Sequence, residues 1–234
     1  MFHPEVADHD VTPPDSSPLL EVAGFLRGVA TLPTLALPGH PPRGHGAPVR
    51  VLPGYMSGDW STVAIRGYLR SLGYDARGWG LGTNKGDVRA YADEVIGLVE
   101  SDYEEHGQTV RLIGWSLGGV ISREVAREVP HMVRQVVTMG TPIVGGPKYT
   151  LSAKSYAANG FDLDEIEQIV TQRNEVTIQV PVTAVYSRSD GVVAWQSCLD
   201  PNLDNDVRHI EVDAKHAEFG FRAGVLRGVA RVLA

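Results

Sequence analysis

From residue 48 onward the apolar positions alternate between two periods. Short runs of strand type occur at 49–52, 74–79, 109–113, 133–140, 182–186 and 209–212. Between them lie stretches with apolar residues at helical spacing. Residues 61–72 form one, closed by Gly73, and Val88, Tyr91, Ala92, Val95, Ile96 and Val99 mark a strongly amphipathic one ending near His106-Gly107. A third opens at Gly119, and a last helix spans about 219–233. Strands separated by helices predict an α/β fold, a mainly parallel sheet of about six strands with helices on both faces. Ligands on such sheets bind at the carboxyl ends of the strands.

Two segments break the rhythm. Residues 1–47 form an N-terminal extension whose first 16 residues are polar and proline-containing. Ser17-Pro18 then reads as an N-cap with proline in the first turn. Leu19, Val22, Ala23 and Leu26 predict a short apolar helix to about residue 30. Packing on the sheet is its ordinary explanation, and a lid or interfacial anchor beside an oily site is the alternative. Residues 143–180 form the second segment, with a helical stretch at 163–172 inside it. So long an insertion between strands is expected to shape or cap a binding site, the alternative being extra packing on the rim. The organisation expected is one domain over 1–234.

The chemistry centres on Gly114-Trp115-Ser116-Leu117-Gly118, a G-x-S-x-G run between a strand and a helix. A sharp strand-to-helix turn lifts the central serine hydroxyl above the sheet, in a strained conformation that neighbouring β-carbons would crowd. Serine is a poor nucleophile until a base takes its proton and a carboxylate orients the base. In sites of this kind the chain order is serine, acid, histidine. Asp190 follows the strand at 182–186 and His216 follows the strand at 209–212, so both project from the edge that carries Ser116. The competing acids are Asp200, Asp204 and Asp206, in a polar loop where solvation explains them, and Asp213, close in sequence to His216. Among histidines, His3, His9, His40, His45 and His106 precede the serine and His131 follows it too closely. His209 lies within a strand, facing a sheet surface.

An oxyanion needs two N–H donors. Leu117 supplies one, and the loop Pro53-Gly54-Tyr55-Met56 supplies the other, from Tyr55 or, as runner-up, Met56. Gly78-Trp79-Gly80-Leu81-Gly82-Thr83 fails the dinucleotide fingerprint at Thr83. It reads as a pocket loop, with Trp79, Leu81 and Asn84 as substrate contacts alongside Met56, Trp115 and Val192.

Composition narrows the class. A net charge of −7 with no basic run argues against nucleic acid. The single cysteine, Cys198, excludes an internal disulfide and any cysteine-rich zinc site, and no other metal motif is present. No cofactor is expected. The N-terminus as given lacks a signal-peptide pattern, and no run approaches the ~20 apolar residues of a membrane span, so a cytoplasmic location is the default expectation.

Leu52-Pro53-Gly54-Tyr55, Gly114-Trp115-Ser116-Leu117-Gly118-Gly119, Ser189-Asp190-Gly191 and Lys215-His216 together resemble an α/β-hydrolase of the bacterial esterase/lipase kind. The resemblance covers most of residues 48–220, and the run 74–84 is similar to a bacterial subgroup. It implies a serine hydrolase acting on a small-molecule or lipid-like carboxylic ester through an acyl-enzyme, with esterase, lipase, phospholipase and polyester depolymerase undistinguished. Acyl transfer by the same residues and a non-catalytic ligand-binding module are the competing classes. Two departures stand out. No antiparallel strand pair precedes residue 48, which suggests a smaller six-stranded core. Pro53-Gly54 also stands where many relatives carry His-Gly.

Overall fold

A computed structural model describes residues 11–14, 17–37, 39 and 41–234. His3, His9, His40 and most of the polar N-terminal stretch lie outside the described residues. Six strands, β1 (Pro48–Leu52), β2 (Asp75–Gly78), β3 (Val110–Trp115), β4 (Val133–Met139), β5 (Val182–Tyr186) and β6 (Val207–Glu211), form one sheet. Its order is β2-β1-β3-β4-β5-β6, with every pairing parallel. The chain leaves β1 toward β2, then returns past it to β3 and continues the other way. The connections leaving β1 and β3 therefore run to opposite faces of the sheet, opening a crevice at this switch point.

Alternating side chains assign the layers. Val49 and Val51 of β1 and Ile113 of β3 pack with Ile65 and Leu69 of α2 (Val63–Ser71) and Leu226 and Val229 of α7 (Ala223–Val232). Leu52 and Leu112 turn to the opposite face, against Val95 and Val99 of α3 (Val88–His106) and Ile121 and Val125 of α4 (Leu117–Glu128). Arg50, also on that face, is buried, and its Nε donates to Asp102 Oδ2 of α3 at 2.8 Å. A buried cation on a strand stays charged only with such a partner.

Within 143–180, a 3₁₀ turn (Gly146–Tyr149) precedes α5 (Ala153–Ala158) and α6 (Leu163–Asn174). The link between the 3₁₀ turn and α5 is stitched to the loop after β5, where Thr150 bridges Val193 and Leu151 N–H donates to Val192 O at 2.9 Å. Helix α5 meets the loop after β1, where Tyr156 stacks on Tyr55 at 4.1 Å between ring centroids.

Helix α1 (Pro18–Thr31) forms where the sequence places it, with Ser17 Oγ accepting from Leu19 N–H at 3.3 Å. Its orientation differs from the amphipathic reading. Leu19, Val22 and Leu26 are exposed, and Glu21, Gly24, Phe25 and Gly28 face the protein. A β-carbon on Gly24 would lie 2.7 Å from Lys215 Cβ, so this face is one of close backbone approach and not of aliphatic packing. Leu19–Ala36 is also the one 18-residue window among the described residues apolar enough to pass for a membrane span, at mean hydropathy 1.3. The apolar spacing of Leu19, Val22, Ala23 and Leu26 predicts this helix, though not a window of that length. Its helix gives way to a 3₁₀ turn at Leu32–Ala36, leaving roughly 20 Å of α-helix against a ~30 Å hydrocarbon core.

Candidate active site

Ser116 sits between β3 and α4 with φ +54° and ψ −123°, left-handed backbone that a serine adopts only under constraint. Its N–H is pinned to Met139 O of β4 at 2.8 Å. The flanking glycines are required sterically. A β-carbon on Gly114 would fall 2.3 Å from Gly118 O, and one on Gly118 would fall 2.4 Å from Leu52 O. Both obstacles are backbone and cannot swing away, so the G-x-S-x-G pattern is what permits the turn.

Asp190 and His216 meet across the neighbouring loops. His216 Nδ1 lies 2.7 Å from Asp190 Oδ2, and Asp190 Oδ1 accepts from the N–H groups of Val192 (2.8 Å) and Val193 (2.9 Å). Both residues are buried. A carboxylate so placed assigns the proton to Nδ1 and leaves the Nε2 lone pair free. Trp115 lies against the imidazole at 5.9 Å and Phe219 meets it edge-on at 6.0 Å. Burial pushes the imidazole pKa down, but the charge and hydrogen bond of Asp190, with a contribution from Glu21, outweigh it. The result lies above the ordinary 6.5.

Met139 and Gly140 join the two halves. Met139 O holds the Ser116 N–H, and a β-carbon on Gly140 (φ +53°) would come within 3.0 Å of Asp190 Oδ2 and 3.1 Å of His216 Nδ1. Ser116 Oγ itself makes no hydrogen bond among the described residues. Serine–base contacts often tighten only once substrate is bound.

The loop after β1 passes directly over the serine, since a β-carbon on Gly54 would be 3.2 Å from Ser116 Cβ. The N–H groups of Tyr55 and Leu117 make no hydrogen bond among the described residues. Leu117 opens α4, where first-turn N–H groups have no intrahelical acceptor. Met56 is excluded as the second donor because its N–H is spent on Asn84 O at 2.7 Å.

A cavity of about 740 Å³ opens on Ser116. Its wall combines Leu117 and Val120 of α4 with Ile166 and Val170 of α6, and Tyr55 and Val192 complete the serine end. Arg123 of α4 lies further along, buried and bonded to Asp200 Oδ2 at 2.6 Å. Asp200 is therefore an internal ion-pair partner and not a solvated loop acid.

Of the six substrate contacts expected, the structure puts Val192 on this wall. Trp79 is fully buried, with Nε1 donating to Gly82 O at 3.0 Å, so its ring is core and cannot reach a ligand. Asn84 is buried as well, and its Nδ2 donates to Pro53 O at 3.0 Å, bracing the loop that carries Tyr55. Leu81 packs against the α3–α4 core, Trp115 faces His216 and Phe221, and Met56 points to solvent. None of the three is on the cavity wall. A possible cation cluster, Asp75, Glu105 and His106, sits at the opposite end of the sheet edge. The Arg77 guanidinium already bonds both carboxylates there, at 2.9 Å and 2.6 Å.

No protein-family model and no curated protein sequence matches the chain. Solved structures do. A lipase from Bacillus licheniformis in its mature form superposes with a TM-score of 0.62 at 14% identity, over 82% of this chain and 94% of that one. A lipase-esterase related protein from Clostridium acetobutylicum gives 0.57 at 16% identity, over 84% and 98%. A monoacylglycerol lipase from Paleococcus ferrophilus gives 0.56 at 16%, over 80% and 95%. At these identities the likeness speaks for fold, and the fold is that of the α/β-hydrolases.

Proposed function

We propose that this chain is a serine hydrolase that cleaves carboxylic esters, with Ser116 as nucleophile, His216 as base and Asp190 as the group that orients it. The observation that carries the reading is the pairing of a strained Ser116 with a buried Asp190–His216 hydrogen bond, joined through Met139 and Gly140. Neighbours that are lipases and esterases support it.

In this reading His216 Nε2 takes the Ser116 proton as Oγ adds to the ester carbonyl. The carbonyl oxygen becomes an oxyanion, which the Tyr55 and Leu117 N–H groups stabilise. The imidazolium, steadied by Asp190, returns the proton to the departing alkoxide, and the acyl group stays on Ser116. Water repeats the cycle and releases the acid. The aliphatic wall of α4 and α6 favours an apolar acyl group, with residues 143–180 as the cap over it.

The test is hydrolysis of p-nitrophenyl esters of increasing acyl length by wild type and Ser116→Ala. Loss of at least about 10⁴-fold in kcat/KM is expected in the variant. Equal rates in the two proteins would sink the reading. Product partitioning toward an added alcohol in dilute solution would instead indicate an acyltransferase.

A further inference from the structure

The structure assigns a positioning role to Glu21: its carboxylate spans the two loops that carry Asp190 and His216 and holds them in register. This rests on the hydrolase reading above. Glu21 Oε1 accepts from Gly191 N–H at 3.1 Å and Oε2 accepts from Ala217 N–H at 3.0 Å. Each donor belongs to the residue immediately after one member of the pair. One side chain on α1 therefore fixes the peptide following the acid and the peptide following the histidine. The side chains of Asp190 and His216 themselves meet at 2.7 Å.

The surroundings of α1 are built for this reach. Gly24 and Gly28, one turn and two turns beyond Glu21, bring the helix against residues 215–222. Arg27 donates to both oxygens of buried Glu218, Nε at 2.8 Å, and Glu218 Oε2 accepts from Lys215 N–H at 2.7 Å. At the far end, Thr31 Oγ1 accepts from Ala223 N–H at 2.9 Å. Within the first loop, Ser187 Oγ also accepts from Ser189 N–H at 3.1 Å and from Ala214 N–H at 3.2 Å, whereas Glu21 reaches both loops from a separate helix.

Glu21 also acts on the imidazole by charge. Among the described residues the ionisable groups around His216 are Asp190 from the loop after β5 and Glu21 from α1. Glu218, Arg222 and Lys215 lie on its own segment, Arg27 reaches in from α1, Asp213 is exposed before it, and the Cys198 thiol is buried beside Asp190. Glu21 adds to the stabilisation of the imidazolium that Asp190 provides. An active base must be neutral, so Glu21 adds to the effect of Asp190 in moving the acid limb of the pH–rate profile upward.

The experiment compares Glu21→Gln, Glu21→Asp and Thr31→Ala with wild type on a p-nitrophenyl ester across pH, with Tm for each. Glu21→Gln keeps the shape, loses the charge and puts an N–H₂ against one donor. It is expected to lower kcat about tenfold with KM within twofold, and to move the acid limb down by roughly half a pH unit or more. Glu21→Asp retains the charge but is too short to span both loops; it is expected to lower kcat while leaving the acid limb within about 0.2 of wild type. Thr31→Ala loosens the same helix away from the pair and is expected to lower Tm without moving kcat or the limb. The ring-nitrogen NMR titration of His216 gives the same pKa shift without turnover, and covers the case of a weakly active enzyme. An acid limb and kcat unchanged in Glu21→Gln would overturn the assignment, as would a Thr31→Ala effect equal to it. Loss of the Ser116 dependence in wild type would instead overturn the hydrolase reading itself.

Discussion

The two halves of the site are held by different physics. On the serine side, position comes from the backbone: one residue in left-handed conformation, glycines whose neighbours are carbonyls, and a strand end that pins the N–H. On the acid–base side it comes from side chains that meet from remote parts of the chain. Asp190 and His216 are 26 residues apart, and Glu21 bonds partners 170 and 196 residues away. The first arrangement is stiff because moving it breaks the turn. The second depends on each of several hydrogen bonds, so it admits graded damage.

The sharpest break on the acid–base side is Asp190→Asn. It keeps the shape but loses the carboxylate that selects the tautomer, and a loss of about 10⁴-fold in kcat is expected, measured at saturating ester. The join between the halves should be next. Gly140→Ala places a methyl 3.0 Å from Asp190 Oδ2 in a backbone region alanine avoids, and activity should fall roughly 100-fold while most of the fold survives. On the serine side, Gly118→Ala meets Leu52 O at 2.4 Å. Graded loss is not available there, and the expectation is a collapse in soluble yield or a fall in Tm of 10 °C or more, on the order of the cost of core overpacking.

Two smaller effects depend on pH. With the His216 pKa held above 6.5, kcat/KM should rise with pH and reach its plateau above that raised value; a profile flat down to pH 5 would exclude His216 as the base. Arg27→Met removes the partner of Glu218. Burial pushes the Glu218 carboxyl up, but the hydrogen bonds from Arg27 and Lys215 N–H and the charges of Arg222 and Arg27 carry it below its ordinary 4.5. A depressed carboxyl stabilises the fold above its unfolded pKa and loses that contribution as pH falls through the folded one. Arg27 is half exposed, so a Tm decrease of only about 2–4 °C is expected at pH 7, fading below about pH 4.

This division explains what the sequence revealed. Strand positions follow from short runs of strand type between helical stretches, and the turn at Ser116 follows from two glycines around one serine, all local signals. That Asp190 and His216 would lie on one edge was legible from strand ends and chain order, and their side chains do meet there. Helix α1 was legible as a helix but not in its facing. Its inward face is Glu21, Gly24, Phe25 and Gly28, and its aliphatic residues point outward, which reverses the usual rule. Trp79 and Asn84 look like pocket residues on a glycine-rich loop. Tertiary contacts turn both inward, one to fill the α3 face and one to brace the Tyr55 loop. Asp200 gave no sequence sign of its pairing with Arg123, 77 residues away. Glu21 could have been noticed only as a lone acid in an oily helix.

The most direct measurement is intact-mass and peptide analysis after incubation with a fluorophosphonate, which captures a serine activated by its base without assuming any substrate. One adduct per chain on the peptide containing Ser116, absent in Ser116→Ala and strongly slowed in His216→Gln, is the expected result. An unlabelled protein, or an adduct on any other residue, would contradict Ser116 as the nucleophile.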